Sequence, residues 1–217
     1  MRFQLLKNDY IDFNHPFTKK FTRVYRIISL KEFEVQGRTV KEYEIGGYIQ
    51  DEGNLSHDDN SWVFNLGKVF GNAKLLKNAI VTDNAAVFDQ AIVKHSHIKD
   101  WARVYQASDV TDSIIAGKSD VYGRAKIIAS DVMNSARVQD AAVVQGSYIY
   151  GGSFVKGISK LENCQIKDVC EITDSKLINC QLSGRTIAIN ENWINKTLNT
   201  QIDIDVVWGD LHLRNIL

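Results

Sequence analysis

Two histidines one residue apart, His95 and His97, are the side chains of this sequence best suited to acid–base chemistry. An imidazole changes its protonation state close to neutral pH, so it can take a proton from a hydroxyl or amine nucleophile and act as a general base. The Lys-His-Ser-His pattern is a weak signal by itself, because an exposed or packing histidine is the commoner case. Whether these rings meet a substrate depends on the elements that carry them.

The two histidines lie inside a repeat in which an aliphatic residue returns every five or six positions, and Ala, Ser, Gly or Cys stands two positions before it. The aliphatic positions are Val63, Val69, Leu75, Val81, Val87, Val93, Ile98, Val104, Val110, Ile115, Val121, Ile127, Val132, Val138, Val144, Ile149, Val155, Leu161, Ile166, Ile172, Leu177 and Leu182. This spacing does not fit a helix, but positions i−2 and i of a strand share one face. The sequence therefore predicts short strands with large residues in the core and small residues at the bends.

Three such strands make one turn of 17 or 18 residues, which predicts a triangular coil of parallel strands. Residues 61–183 then form about seven coils. Gly71, Gly123 and Gly151 fall at bends, where unusual backbone angles are needed. The only proline, Pro16, precedes the repeat, so no proline interrupts a strand ladder.

The segments on either side of the repeat are predicted to cover its ends. Residues 22–49 contain two strand-like runs around a turn at Gly37, and the alternation at 202–208 predicts another strand. The end of a stack of coils needs a cap, because an exposed strand edge pairs with other chains. We expect residues 1–60 to form an N-terminal hairpin-like cap, residues 61–183 the coils, and residues 184–217 a C-terminal cap or docking segment.

The three cysteines, Cys164, Cys170 and Cys180, all occupy the small inward position of the repeat. A metal site would need thiolates or histidines that converge with ligand spacing, and these do not, so we predict no metal. Free cysteine behaves as a small hydrophobic residue. We therefore expect three buried, reduced thiols, and the odd number fits a reducing compartment.

The outward positions of the repeat sort into three faces. The face that includes Leu75 is mostly charged or polar, the face that includes Val69 carries a stack of four aromatic residues, and the face that includes Val81 carries a second apolar stripe. The residues predicted to form binding surfaces are Phe70, Phe88, Tyr105, Tyr122, Tyr148 and Tyr150. Large apolar patches usually mark contacts, so we expect a terminal segment to cover one stripe and a like subunit the other. A ligand-binding ladder is the alternative.

The repeat resembles the hexapeptide repeat of left-handed parallel β-helices, and the resemblance implies that handedness. The stretch GGYIQDEGNLSHDDNSWVF at residues 46–64, followed by Gly-Asn-Ala, is similar to the YdcK-like hexapeptide-repeat proteins of bacteria and their prophages. The similarity extends over about residues 24–183. Members of that family are labelled as transferases by fold, without an established substrate, so the resemblance supports the architecture more than an activity.

Two function classes follow. We favour a rigid binding or assembly module without a cofactor; prophage association would make it a phage-encoded protein that docks onto a host protein, as an inhibitor for example. The alternative is an acyltransferase, which this fold often hosts as a trimer with acetyl- or acyl-coenzyme A in the groove between subunits. His95 or His97 would then be the base, although no loop insertion interrupts residues 61–183.

Composition restricts the partners and the compartment. Lys plus Arg and Asp plus Glu balance at 26 each, which disfavours nucleic acid as a partner. No apolar run approaches the roughly 18 residues that span a membrane, and residues 1–17 show no secretory signal pattern. We therefore expect a cytoplasmic protein whose partner is another protein, a second copy of itself in a dimer or trimer, or both.

Overall fold

A computed structural model describes residues 1–194 and, along the main chain, the strands Thr197–Asn199 and Asp205–Trp208. The chain is all-β and forms a β-solenoid of about nine turns, as the repeat predicts. From Ile45 onward the strands within each of the three long sheets are parallel. No helix among the described residues is long and apolar enough to cross a membrane.

Three long sheets form the sides of the prism, and we name each by its outward side chains. The aromatic face contains Phe3–Asn14, Phe21–Ser29, Ile45–Ile49, Lys68–Val69, Ala86–Val87, Arg103–Val104, Asp120–Val121, Arg137–Val138, Phe154–Lys156, Val169–Thr173, Arg185–Ile189 and Asp205–Trp208. The charged face contains Lys74–Leu76, Ile92–Lys94, Asp109–Thr111, Lys126–Ile128, Val143–Gln145, Lys160–Glu162, Lys176–Ile178 and Asn192–Ile194. The tyrosine face contains Trp62–Val63, Ile80–Val81, His97–Ile98, Ile114–Ile115, Asp131–Val132, Tyr148–Ile149, Gln165–Ile166, Gln181–Ser183 and Thr197–Asn199.

Two antiparallel pairs precede the coils. Phe3–Asn14 and Phe21–Ser29 form the N-terminal ribbon, which joins the aromatic face through Ile45–Ile49. Phe33–Val35 and Arg38–Val40 form a second, short hairpin. A 3-10 turn at Glu52–Asn54 lies in the first coil.

The core consists of the aliphatic residues that the repeat identifies. Each of them, from Val63 to Leu182, is at most 1% exposed, and the small residues two positions earlier lie beside them. Stacking in register explains this burial, because Val87 pairs with Val69 below it and with Val104 above it, and the other columns do the same. The predicted inward assignment is confirmed.

The coils continue beyond both limits of the predicted repeat, which is why there are about nine turns and not seven. Before residue 61, Ile49 pairs above with Val69 and Leu55 bridges to Leu75. After Leu182, the inward central positions are Ala188 and Trp193. A small residue and a bulky aromatic one replace the usual aliphatic residue there, so the pattern is lost although the coil is not. The strand predicted at 202–208 is present as Asp205–Trp208, and residues 202–204 lie outside the described residues.

A column of inward serines links the coils at the bend that leads into the tyrosine face. The Oγ atom of Ser130 accepts the N–H of Ser147, one coil higher, at 3.0 Å and donates to the Ile128 carbonyl at 2.7 Å. Ser96 and Ser113 make the same contacts to the coils above them. Small size alone therefore does not explain these positions, because the hydroxyl also satisfies a buried main-chain donor.

We expect Ser130→Ala to lower the free energy of unfolding by about 1–3 kcal/mol, because the N–H of Ser147 loses its partner in the core. Ser108→Ala is the matched control: Ser108 is also buried, but its hydroxyl donates to the Tyr105 carbonyl three residues earlier in the same coil. Urea unfolding of both variants tests this. Equal destabilisation by the two substitutions would contradict the role of the serine column.

The cysteine prediction is correct for burial and wrong for oxidation state. All three cysteines are at most 1% exposed, but Cys164 and Cys180 form a disulfide and only Cys170 is free. Both bonded residues precede an aliphatic residue of the tyrosine face, one coil apart, and their Cα atoms are 4.6 Å apart. That separation is within the range of disulfides, so stacking of the coils brings the pair together.

Candidate functional site

The aromatic face carries the predicted ring ladder. Phe70, Phe88, Tyr105 and Tyr122 stack nearly parallel, with ring centroids 4.8, 4.9 and 4.9 Å apart in succession. These separations match the spacing between neighbouring strands, because each ring stands on the strand directly above the previous one. All four side chains point outward from the coil, as the sequence predicts.

This ladder, which the sequence analysis includes among the binding-surface residues, is covered by the chain itself. Phe70, Phe88 and Tyr105 are only 2%, 0% and 5% exposed, and Tyr122 is half-buried. The cover is the end of Phe3–Asn14 and the turn that joins it to Phe21–Ser29 at the tip of the N-terminal ribbon. The covering contacts are Phe13 on Phe70, His15 on Phe70 and Phe88, and Phe17 on Phe88 and Tyr105. A terminal segment therefore covers one of the two apolar stripes.

His15 holds this covering segment in place. Its Nε2 atom lies 2.9 Å from Asp89 Oδ1, and its Nδ1 atom accepts the N–H groups of Phe17 and Thr18. Nδ1 is an acceptor in both contacts, so Nε2 carries the proton and donates to the carboxylate. Both ring nitrogens are occupied, so His15 is a positioning residue. Nothing in the sequence indicates this role, since the partner of His15 lies 74 residues away.

Among the described residues, the short hairpin covers the beginning of the tyrosine face. The Phe33 ring is 5.4 Å from that of Trp62, and the Arg38 guanidinium is 3.8 Å from the Phe64 ring. At the hairpin tip, Gln36 donates to the Asn78 carbonyl at 2.7 Å and approaches that of Ser96 at 3.3 Å. Above this tip, Tyr148, Gln165 and Lys167 are exposed.

Tyr148 and Tyr150 stand on one strand of this exposed part. Tyr148 is 45% exposed, Tyr150 is half-buried, and their rings are nearly parallel with centroids 6.3 Å apart. They line a groove of about 530 Å³ together with Gln165, Lys167 and Asn134. Burial raises the pKa of Tyr150 above its ordinary value, so its hydroxyl is neutral at physiological pH. This part of the predicted binding surface is accessible.

The two candidate catalytic histidines meet in a shallow groove of about 310 Å³ beside the hairpin tip. His95 occupies the bend, with a left-handed φ of 44°, and its Nδ1 atom is 2.6 Å from Asp112 Oδ1. Both side chains of this pair are more than half exposed. The carboxylate orients the ring and leaves Nε2 without a partner among the described residues, which is the arrangement of an oriented base.

His97 points outward from the next strand and is half-buried. Its Nε2 atom lies 3.2 Å from the Thr82 hydroxyl, which itself donates to Asp83 at 2.8 Å. A hydroxyl has one proton, so the His97 nitrogen is the donor in that pair. Burial, and then the charge of Lys99, lower the pKa of His97 below its ordinary value, so the ring is neutral at physiological pH.

No cluster of three or more His, Cys, Asp or Glu side chains with metal-binding geometry occurs in the part of the chain that the structure describes. Comparison with known proteins assigns neither groove to an activity: no protein-family model matches this chain, and no match is found among curated proteins.

Proposed function

We propose that this protein is a rigid β-solenoid module that binds a protein partner or assembles through its tyrosine face. The observation that carries the proposal is the contrast between the two apolar stripes. The described part of the chain covers the aromatic ladder with Phe13, His15 and Phe17, whereas on the tyrosine face Tyr148 is 45% exposed and Tyr150 half-buried. An apolar stripe left exposed on a surface usually marks a contact, and tyrosine is enriched at interfaces.

The finer expectations belong to the same proposal. The steps of five and six residues and the stretch at 46–64 support a left-handed hexapeptide-repeat solenoid similar to the YdcK-like proteins. Their association with prophages supports a phage-encoded protein that docks onto a host protein. A cytoplasmic location is part of this proposal, and the Cys164–Cys180 disulfide is compatible with it because burial keeps reductants away from the sulfur atoms.

The double variant Tyr148→Lys/Tyr150→Lys tests this function. Each interface aromatic can contribute about 2 kcal/mol or more, so we expect association to weaken by at least about a hundredfold while the fold is kept. Light scattering gives the mass of the assembly, and quantitative co-purification from the producing cells gives the partners. Ile158→Lys is the control, because Ile158 is 76% exposed and lies off this face. If the double variant keeps both the mass of the assembly and its partners, the proposal is wrong.

The second candidate is the acyl-coenzyme A-dependent acyltransferase, and the His95–Asp112 pair favours it. An oriented imidazole beside a groove has the geometry of a base that deprotonates an acceptor hydroxyl or amine. In that case acetyl-coenzyme A at 100 times its Kd should add ~2.7 kcal/mol of stability. His95→Ala should then lower kcat about a hundredfold or more without changing the assembly. If neither a thermal shift nor turnover is observed, the acyltransferase is excluded and the binding module is the remaining proposal.

A further inference from the structure

A groove of about 670 Å³ lies between the tip of the N-terminal ribbon and the coils, and it is larger than the two grooves described above. One wall comes from the ribbon tip, between His15 and Thr22. The other wall includes residues 71–72, 89–90, 106–107 and 123–124, which occupy the same bend of four successive coils, between the aromatic face and the charged face. A ligand held by both walls would therefore join the ribbon tip to the coils.

Two glutamine side chains of the coil wall have their amide groups oriented by the main chain. Gln50 Oε1 accepts the N–H of Gly71 at 2.8 Å. Gln106 Oε1 accepts the N–H of Gly123, also at 2.8 Å. A main-chain N–H can only donate, so the atom that meets it must be the amide oxygen, and Nε2 is the other end of the amide. Neither Nε2 atom has a partner among the described residues, so the two amides offer four N–H donors to a ligand.

The charged side chains that line the groove leave it with an excess of positive charge. Lys20 on the ribbon wall and Arg124 on the coil wall are both exposed, and neither forms an ion pair with any of the described residues. The only carboxylate among the lining residues is Asp89, and each of its oxygens already holds a donor. Oδ1 accepts the proton of His15 Nε2, and Oδ2 accepts the N–H of Gln106. The donors that remain are therefore two cations and two amides.

From this lining we infer that the groove binds a small molecule through a phosphate group held between the two walls. A phosphate has three terminal oxygen atoms, which accept hydrogen bonds from lysine, arginine and amide N–H groups alike. The groove is larger than an inorganic ion, so the rest of the ligand also enters it, and Phe21, which is 68% exposed, offers a ring for packing. The site lies apart from the tyrosine face and is a second binding function beside the proposed one.

The same lining disfavours other kinds of ligand. A divalent cation needs several free oxygen ligands, but both oxygens of Asp89 hold N–H donors and two cations face the groove. A carboxylate ligand would meet the same donors as a phosphate, but it has only two oxygen atoms to share among Lys20, Arg124 and the two amides. A phosphate therefore uses the available donors more completely.

Calorimetric titration of the full-length protein with inorganic phosphate, phenyl phosphate and succinate tests the class of ligand. Phenyl phosphate should bind most tightly, because its ring packs on Phe21, and Phe21→Ala should bring its Kd to within about twofold of that of inorganic phosphate. Succinate should bind at least about fivefold more weakly than inorganic phosphate. Lack of binding of both phosphates at about 20 mM, or binding of succinate as tight as that of phosphate, overturns the inference.

Variants of the coil wall test the location. In Gln106→Glu the side chain can still accept the N–H of Gly123, but an oxygen replaces the Nε2 donor and brings a negative charge. Phosphate binding should weaken at least about tenfold, and Arg124→Gln should weaken it to a similar extent because a charge-assisted hydrogen bond is lost. Lys118→Gln is the control: it removes one positive charge from an exposed position on the bend between the tyrosine face and the aromatic face, so the Kd should stay within about twofold. Unchanged binding in both Gln106→Glu and Arg124→Gln overturns the inference.

Protection of the ribbon tip gives a second readout. Trypsin cuts after lysine, and Lys19 and Lys20 are exposed in the turn of the ribbon, where cleavage requires the tip to detach from the coils. Phosphate at ten times its Kd should slow this cleavage about elevenfold in the wild type, since the ligand holds both walls together. Cleavage that phosphate does not slow would overturn the inference. The proposed function is tested separately at Tyr148 and Tyr150 and does not depend on this result.

Discussion

Val104→Asp is expected to abolish the folded state. Val104 is fully buried in the middle of the solenoid and is stacked between Val87 and Val121 in the same column. The new carboxylate would be enclosed by aliphatic side chains, with no cation in the core to pair with it. Such a change costs more than about 4 kcal/mol, which is a large part of the stability of an ordinary domain. Circular dichroism and the amount of protein recovered from the soluble fraction measure the effect.

Val143→Asp provides the matched control, because it introduces the same carboxylate at an outward position. Val143 is half-buried on the charged face, and its neighbours one coil below and above are Lys126 and Lys160. The new charge would therefore stand between two cations in contact with water, and we expect a change within about 0.5 kcal/mol. If Val104→Asp melted like Val143→Asp, the inward assignment of the whole repeat would be wrong.

The sequence was sufficient to predict the coils because one rule decides both burial and stacking. Val104 is buried since position i of every unit faces the axis, and Phe88 stacks on Tyr105 since equivalent positions recur after one turn. The same rule contains the signal for the disulfide, because Cys164 and Cys180 hold equivalent positions in successive coils. The rule fails at Trp193. The coil continues there, although an aromatic residue takes the inward position that the rule gives to Val, Ile or Leu.

The candidate site could be predicted less completely from the sequence, because its decisive contacts join segments outside the repeat to the coils. Nothing near His15 indicates that it reaches Asp89, or that Phe17 lies over Tyr105. The sequence therefore predicted a cover but not which of the two stripes receives it. The His95–Asp112 pair follows from stacking, since the two residues occupy the same bend one coil apart, but only the structure shows that the side chains meet.

Phe88→Lys has the second large expected effect. The outward position of Phe88 suggests from sequence that a lysine would be harmless, but the ring is fully buried between Phe70 and Tyr105 and contacts His15 edge-on at 5.4 Å. Loss of a buried phenylalanine costs about 3–5 kcal/mol, and an unpaired ammonium in the same place adds to that cost. Urea unfolding should therefore show a loss of about 4 kcal/mol or more.

Tyr148→Lys is the control for this prediction, since it places the same side chain at an outward aromatic position that is 45% exposed, and we expect its monomer stability to stay within about 0.5 kcal/mol of the wild type. Limited proteolysis locates the damage in Phe88→Lys. The coils keep their inward column, so the covering segment around His15 and Phe17 should detach first and be cut before the repeat. A variant that keeps both its unfolding free energy and its resistance to cleavage would show that the N-terminal segment does not cover the ladder in solution, and the aromatic face would then be as open to a partner as the tyrosine face.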